Sequence, residues 1–538
     1  MFQRKTQTEG YWRDQFRLTA PDVARIYDLI LDSGKPVRPW VLARALIDAG
    51  CRREEAAIQA ELSRGVPYRP SGTYSVGQEI TFPALDYSWA TVTGTRPARN
   101  PQYGEFVALQ VRFEGEEQIR EFASELRGDH KLDQEASDSS PLASGGARSP
   151  EELAELYGGV VAETIASGLA GHAEFVRLGD DWFLGELLAD VSIGHLNIAE
   201  ALIEVKGMPL PTAELMADLD LPLEVPEEIR ALSLKRALKL DGRFDNVGNG
   251  GRDVWFLRRL TPGEVLQPPS RLVLRPDAYD RQLISRELQS LEREIDDEGV
   301  SEPDAAPPRP IYRTSVTLNH PHWRSGTLPL TLRTRGMFPQ PTEHHTPFVL
   351  VDGQSGDRFQ GWVVQQPPFV YGLREYYQKH ALPVGAFVKL ERTRDPRVIT
   401  VDYEPQRLKS AWAKVVSARP GQLSFQVRKI PVACEYDEQM ILAEDSAPGI
   451  DSLREEHEAR GTSLLELMIR IIQELVKLSP QGTVHAKTVY SAVNVLRRTA
   501  PGPIFALLST ESCFASMGGG YWTFDASRIR PDVVAQGG

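Results

Sequence analysis

Residues 242–257 read GRFDNVGNGGRDVWFL. Phe244 and Val247 lead into a Gly/Asn turn, and beyond it Val254 and Phe256 alternate with Trp255. Alternation on both sides of such a turn predicts a β-hairpin. The same spelling returns at 513–524, CFASMGGGYWTF, where Phe514 and Met517 precede the glycines and Trp522 and Phe524 follow them. It returns again at 173–184, AEFVRLGDDWFL, with Phe175, Leu178, Gly179 and Trp182. A weaker relative, VPYRPSGTYSVG at 66–77, carries Tyr68, Gly72 and Tyr74. A lone hairpin is marginal in water, so each needs a partner packed on its apolar face.

The upstream sequence supplies that partner. EEIRALSLKRALKL (227–240) and APGPIFALLSTES (500–512) lead directly into two of the hairpins. Further upstream a second motif recurs: GKPVRPWVLARAL (35–47), GMPLPTAELMADL (207–219) and GTVHAKTVYSAVNVL (482–496). Each is a glycine, a short extended step and a helix. Amphipathic stretches precede them at 21–33, 196–205 and 463–478. The repeating unit is helix, short strand, helix, helix, hairpin, over about 65 residues.

This order resembles the HARE-HTH winged-helix family, whose type member is the delta subunit of bacterial RNA polymerase. The likeness is clearest over 463–525 and next over 195–260. It is partial over 21–77, and over 152–184 only the last helix and wing are visible. It implies winged helices at 16–77, 195–262 and 462–526, with a partial helix-plus-wing module at 153–185. In such a module the third helix enters the major groove and the wing reaches the backbone. The second copy carries Arg230, Lys235, Arg236 and Lys239 on its helix, and Arg243, Arg252, Arg258 and Arg259 around its hairpin. The last copy offers Lys487, Arg497 and Arg498. Winged helices also serve as protein-docking modules, which leaves that role as the alternative.

Two further stretches alternate as strands do. Residues 78–128 predict a small β-barrel, with Tyr87, Trp89 and Arg96 as possible contacts to nucleic acid. Residues 311–432 resemble the pseudobarrel DNA-binding domain of plant auxin-response factors and of some restriction-enzyme effector domains. The shared order is a Leu-Pro strand, a Trp strand, a short helix and a VG…V strand. Residues 311–411 hold 13 Lys and Arg against 8 Asp and Glu. Arg333, Arg335, Arg392, Arg394 and Arg397 are the candidate phosphate contacts there.

The chain has 538 residues and a net charge of −13. Its acid is concentrated at 113–163, 286–304 and 432–461, which carry about −9, −6 and −7 and leave the remainder mildly basic. Three stretches within or beside these, 129–152, 286–310 and 440–461, read as linkers. The expected fold class is α+β multidomain: repeated winged helices plus small antiparallel β-barrels on acidic linkers. Cys51, Cys434 and Cys513 lie far apart, which is neither a disulfide framework nor a zinc cluster. Glu343, His344, His345, His320 and His322 show no metal-ligand spacing, and no P-loop, nucleophile elbow or CxxC occurs. No cofactor or metal is expected. Neither a signal-peptide core nor an apolar run long enough to span a bilayer is present in the sequence. The reading is a non-enzymatic cytoplasmic DNA-binding protein, associated with transcription or the nucleoid, with double-stranded DNA as partner. The alternative is a scaffold that docks on RNA polymerase or a defence complex.

Overall fold

A computed structural model describes residues 4–62, 65–85, 88–101, 103–114, 118–127, 130, 132, 148–300 and 311–530. The chain is mixed α/β with several sheets and divides into two compact units. The first is Met1–Asp190 with Pro222–Ser233, the second Val191–Leu221 with Leu234–Gly538.

In the first unit, helices Ala20–Ser33 and Pro39–Leu62 are followed, after a long excursion, by helix Pro150–Leu169 and a hairpin of Phe175–Leu178 with Asp181–Leu184. Ser149 caps the third helix: its hydroxyl accepts from Glu152 N at 3.2 Å, and Glu152 returns a carboxylate to Ser149 N at 2.8 Å. Val37 bridges Trp182, and Ile26, Ile30, Leu46, Val161, Ile165 and Phe183 share one core. The segments 16–77 and 153–185, read separately from the sequence, are therefore halves of one module. A five-stranded sheet is inserted between them, in chain order from Val66–Pro67 to Ile119–Ser124. Local periodicity cannot show this, because the halves meet only through packing. Val66–Pro67 pairs in parallel with Glu79–Phe82, so 66–77 is not a hairpin. Arg96 is held by Glu121 at 2.5 Å, Trp89 is half-buried, and Tyr87 lies outside the described residues.

The second unit opens with helices Ile193–Lys206 and Thr212–Ala217. Helix Glu227–Leu240 follows, beginning in the first unit and ending in the second. Leu210–Pro211, Val254–Leu257 and Phe244–Asn246 form a three-stranded sheet in that order. The same plan closes the chain. Helices Leu464–Leu475, Ala486–Leu496 and Pro501–Thr510 accompany strands Thr483–His485, Tyr521–Phe524 and Phe514–Gly518. All three hairpins put Trp opposite an apolar residue of the short strand: Val37 with Trp182, Leu210 with Trp255, Val484 with Trp522. The repeated spelling exists because each hairpin needs one large ring to cover its helices.

Between these modules lies a nearly closed, barrel-like sheet of seven strands. Its order is Arg313–Thr317, Phe387–Arg392, Val398–Tyr403, His345–Asp352, Arg358–Val364, Phe369–Tyr371, Thr327–Pro329. It ends at Tyr403, not at 432. Pro405–Arg419 and Gln422–Cys434 instead form a long hairpin in a separate sheet with Ala443–Glu444. Asp352 anchors the barrel's 352–357 turn. It accepts from Lys379 Nζ at 2.8 Å, His380 Nε2 at 2.7 Å, Ser355 Oγ at 2.8 Å and Gln354 N at 2.9 Å. Burial opposes its ionisation, but these donors outweigh burial and hold the carboxyl well below the usual range. A depressed folded pKa stabilises above the unfolded value of about 3.9 and is lost as pH falls through the folded value. Asp352→Asn is expected to destabilise the second unit at pH 7 and to flatten its acid unfolding below about pH 4. Urea denaturation at several pH values measures this; a variant with wild-type acid sensitivity would refute the assignment.

Two stretches read as linkers are structured. Residues 440–461 contain strand Ala443–Glu444 and helix Ala447–Ala459, with Met440, Ile441, Leu442, Ile450 and Leu453 in the core. Residues 286–300 contain helix Arg286–Ile295, capped by Ser285, with Leu288 and Glu292 buried. Several acids of 286–300 are ion-paired: Glu292 with Arg281, Asp296 with Arg333, Asp297 and Glu298 with Arg498. Charge density suggested solvent, whereas the partners lay far away in sequence. The third linker, 129–152, falls largely outside the described residues, as do 301–310.

Candidate nucleic-acid interface

The turn at 246–254 is built to hold one arginine outward. Asn246 Oδ1 accepts from Gly248 N at 3.1 Å and Val254 N at 3.2 Å, and its amide donates to Asp253 at 2.7 Å. A Cβ at Gly248 would lie 1.7 Å from the Arg252 carbonyl oxygen, and Gly250 and Gly251 sit at φ 58° and 80°. Only glycine fits these positions. The turn is fastened to the seven-stranded sheet. Thr342 N donates to Gly248 O at 2.8 Å, Thr346 Oγ1 donates to Val247 O at 2.6 Å, and Asn249 bridges Pro341. Behind it, the Phe256 and Trp362 rings stand 5.9 Å apart in a core common to both elements.

Between turn and sheet runs an open cleft of about 1160 Å³, which Arg252, Arg358 and Arg397 line. Its floor is apolar, with Pro347, Phe348, Val349 and Phe359. A smaller recess of about 380 Å³ shares Asn249, Pro396 and Arg397 with it and adds Arg335 and Arg392. Five arginines thus converge from four places in the chain. Two acids lie among them. Asp253 is taken by Lys235 at 2.6 Å, and Asp395 stands 3.8 Å from Arg397. Arg252, Arg335, Arg358 and Arg392 have no carboxylate partner among the described residues.

The other sequence candidates are placed differently. Lys239 pairs with Glu343 at 2.8 Å, Arg243 with Glu200 and Asp241, Arg258 with Asp245, and Arg259 with Glu200 and Glu204. Arg236 and Arg394 are exposed, and Arg333 is held by Asp296 at 3.3 Å. Arg230 belongs to the first unit, and its Nε is buried. The last module is not a contact surface on its helices. Ala486–Leu496 is buried along its whole length, and Pro501–Thr510 along most of it. Lys487 is buried between Asp437 at 2.6 Å and Glu294 at 2.5 Å, and Arg497 is held by Asp277 at 2.5 Å.

Arg498 is buried, and so is not placed to meet phosphate. Its side chain is 1% exposed. Its guanidinium donates to Asp297 at 2.7 Å, Glu298 at 2.7 Å and Asn494 Oδ1 at 2.8 Å. Tyr490 donates to Asp297, and His322 Nε2 lies 2.9 Å from Glu298. Burial, opposed by Arg498 and reinforced by Glu298, pushes Asp297 up. Burial also opposes Glu298, but Arg498 and His322 outweigh it and hold that carboxyl well below its usual range. This cluster is a buried structural lock.

Arg358 is the residue sequence reasoning missed. It opens the Trp strand RFQGWVV, and its position opposite Val351 follows only from the sheet's register. Among the described residues, no group of three or more His, Cys, Asp or Glu side chains is placed to hold a metal ion. No described helix is long and apolar enough to cross a membrane. The chain matches no family model, no curated protein and no solved structure.

Proposed function

We propose that this chain is a non-enzymatic DNA-binding protein that grips the phosphate backbone of duplex DNA at the arginine-lined cleft. The carrying observation is the convergence of Arg252, Arg335, Arg358, Arg392 and Arg397 on one surface of a chain whose net charge is −13. Guanidinium groups bind phosphate through paired donors, and four of the five are not already neutralised. The helix–strand–helix–helix–hairpin modules are read as winged helices. The second supplies its wing to the cleft, and the seven-stranded sheet supplies the opposing wall, in the manner of the pseudobarrel DNA-binding domains. A cytoplasmic role in transcription or nucleoid organisation fits this chemistry.

The wing is hydrogen-bonded to the sheet, so the backbone that carries its arginine is held in place before ligand arrives. Preorganised donors lose less entropy on binding. The triple variant Arg252→Ala, Arg358→Ala, Arg397→Ala is expected to weaken all duplex sequences alike and to flatten the salt slope by about 2–3 units. Changing Lys235, Arg236 and Lys239 is expected to do less, because two of those are already in ion pairs. Fluorescence anisotropy with random duplex across salt concentrations measures both. An unchanged slope in the cleft variant, or no binding by the wild type at low salt, would overturn the reading. One observation favours the scaffold alternative, with RNA polymerase or another complex as partner: the last module already uses its helices for packing inside the second unit.

A further inference from the structure

The long hairpin Pro405–Arg419 with Gln422–Cys434 is unlike the rest of the chain. Residues 405–434 contain Arg407, Lys409, Lys414, Arg419, Arg428 and Lys429 and no Asp or Glu. In an acidic protein this is a local segregation of charge. The half nearer the turn is anchored, with Ala413, Val415, Val416, Leu423 and Phe425 buried. The other half buries Val432 and Cys434 on the face away from Trp412 and leaves the Trp412 face open. Ala443–Glu444 pairs with Val415 and Val416, so near Trp412 the hairpin is, among the described residues, a ribbon of two strands.

Trp412 is 67% exposed there. Lys429, its partner across the ribbon, holds Nζ 5.2 Å from the ring centroid. The same face continues through Lys414 and Val427, also paired. Lys414 is occupied by the Glu438 carbonyl at 2.6 Å, and Arg428 by Asp445. Arg407, Lys409, Arg419 and Lys429 have no carboxylate partner among the described residues. Basic residues on a ribbon edge also guard against strand-to-strand aggregation. That role accounts for the lysines but not for Trp412, which with the exposed Val427 on the same face leaves an apolar patch in their midst.

We propose that this ribbon is a second polynucleotide contact, at which Trp412 stacks on an unpaired base and Lys429 with the neighbouring cations holds the flanking phosphates. Every base has a π-face, so such a platform takes single strands with little regard to sequence. Lys429 covers one face of the indole, and the exposure leaves room for a base against the other. A protein partner is disfavoured by the concentration of one sign of charge around a single ring. The inference stands apart from the cleft, and a different ligand and different variants test it.

The test is fluorescence anisotropy of labelled oligothymidylate and oligouridylate with the full chain, beside a blunt duplex. The two oligonucleotides separate DNA from RNA as the source of the strand. Trp412→Ala is expected to weaken oligonucleotide binding about five- to 150-fold, whereas Trp412→Phe retains most of it. Lys429→Gln should lower the salt slope by about one unit or less. Duplex binding should be unchanged in all three. Because Trp412 is exposed, its thermal melting serves as a folding control. Wild-type chain that ignores both oligonucleotides at low salt overturns the proposal and points to a protein partner. So does Trp412→Ala that binds them as wild type does. If only the Arg252, Arg358, Arg397 variant loses the oligonucleotides, the single strand belongs in the cleft and the ribbon proposal fails. If that variant keeps duplex affinity while Trp412→Ala loses oligonucleotide, the ribbon stands and the cleft reading falls.

Discussion

Arg498→Met is expected to destabilise the second unit by about 3–5 kcal/mol, because it strands two carboxylates in the interior. Asp297, Glu298 and Arg498 are each almost completely shielded from water. Taking charges out of water is costly, and only the mutual attraction and the extra hydrogen bonds offset it. Asp297 keeps Tyr490 and the Gly299 N–H at 2.8 Å when Arg498 is removed, and Glu298 keeps His322. Neither retains a full countercharge from a guanidinium. The triple change Arg498→Met, Asp297→Asn, Glu298→Gln should recover much of the loss, since breaking a buried pair costs more than replacing it entirely. Urea denaturation of the single and triple variants decides the matter. A loss below about 1 kcal/mol for Arg498→Met would mean that water reaches the cluster, contrary to its burial.

That cluster also explains why much of the second unit was hidden in the sequence. The segment DDEG at 296–299 has no apolar periodicity and carries dense charge, the ordinary signature of a solvated spacer. Its partners at His322 and Arg498 are 24 to 201 residues away, and no local pattern reports them. The hairpins were legible because their signal is local: alternation, a glycine turn and Trp within about 16 residues. The strand opposite each Trp was legible as a glycine-led extended step. What failed was assembly. Segments 16–77 and 153–185 look separate in sequence because a sheet intervenes, and 405–432 looks continuous with the barrel because alternation does not say which sheet a strand joins. At the cleft, Arg252, Arg335, Arg392 and Arg397 were legible as cations near turns. Arg358 was not, since its place depends on the register of seven strands. Arg498 and Lys487 show the converse error, for a basic residue after a helix looks the same in sequence whether phosphate or carboxylate awaits it.

Trp255 and Trp522 occupy matching places in their hairpins, yet their substitutions should differ in kind. Trp255→Ala is expected to cost about 3–5 kcal/mol, the range for emptying a buried aromatic site. Trp255 is 2% exposed, and its indole N–H donates to Thr212 Oγ1 at 3.0 Å. Trp255→Phe keeps much of the ring but leaves the buried Thr212 hydroxyl without its donor, a further cost of about 1–3 kcal/mol. Trp522 is 7% exposed, and its indole N–H has no partner among the described residues, so Trp522→Phe gives up packing alone. The order of cost should be Trp255→Ala, then Trp522→Ala, then Trp255→Phe, then Trp522→Phe, read by urea denaturation. The two alanine variants should also part in function. Trp255 sits behind the turn that holds Arg252 over the cleft, so on the proposed DNA reading its loss should loosen that turn and lower duplex affinity even where the unit remains folded. Trp522 backs a module whose helices are already buried, so Trp522→Ala should leave duplex affinity near the wild-type value in chains that are still folded. Equal duplex affinity for both folded variants would show that the Arg252 turn is held without Trp255 and contributes nothing through its preorganisation.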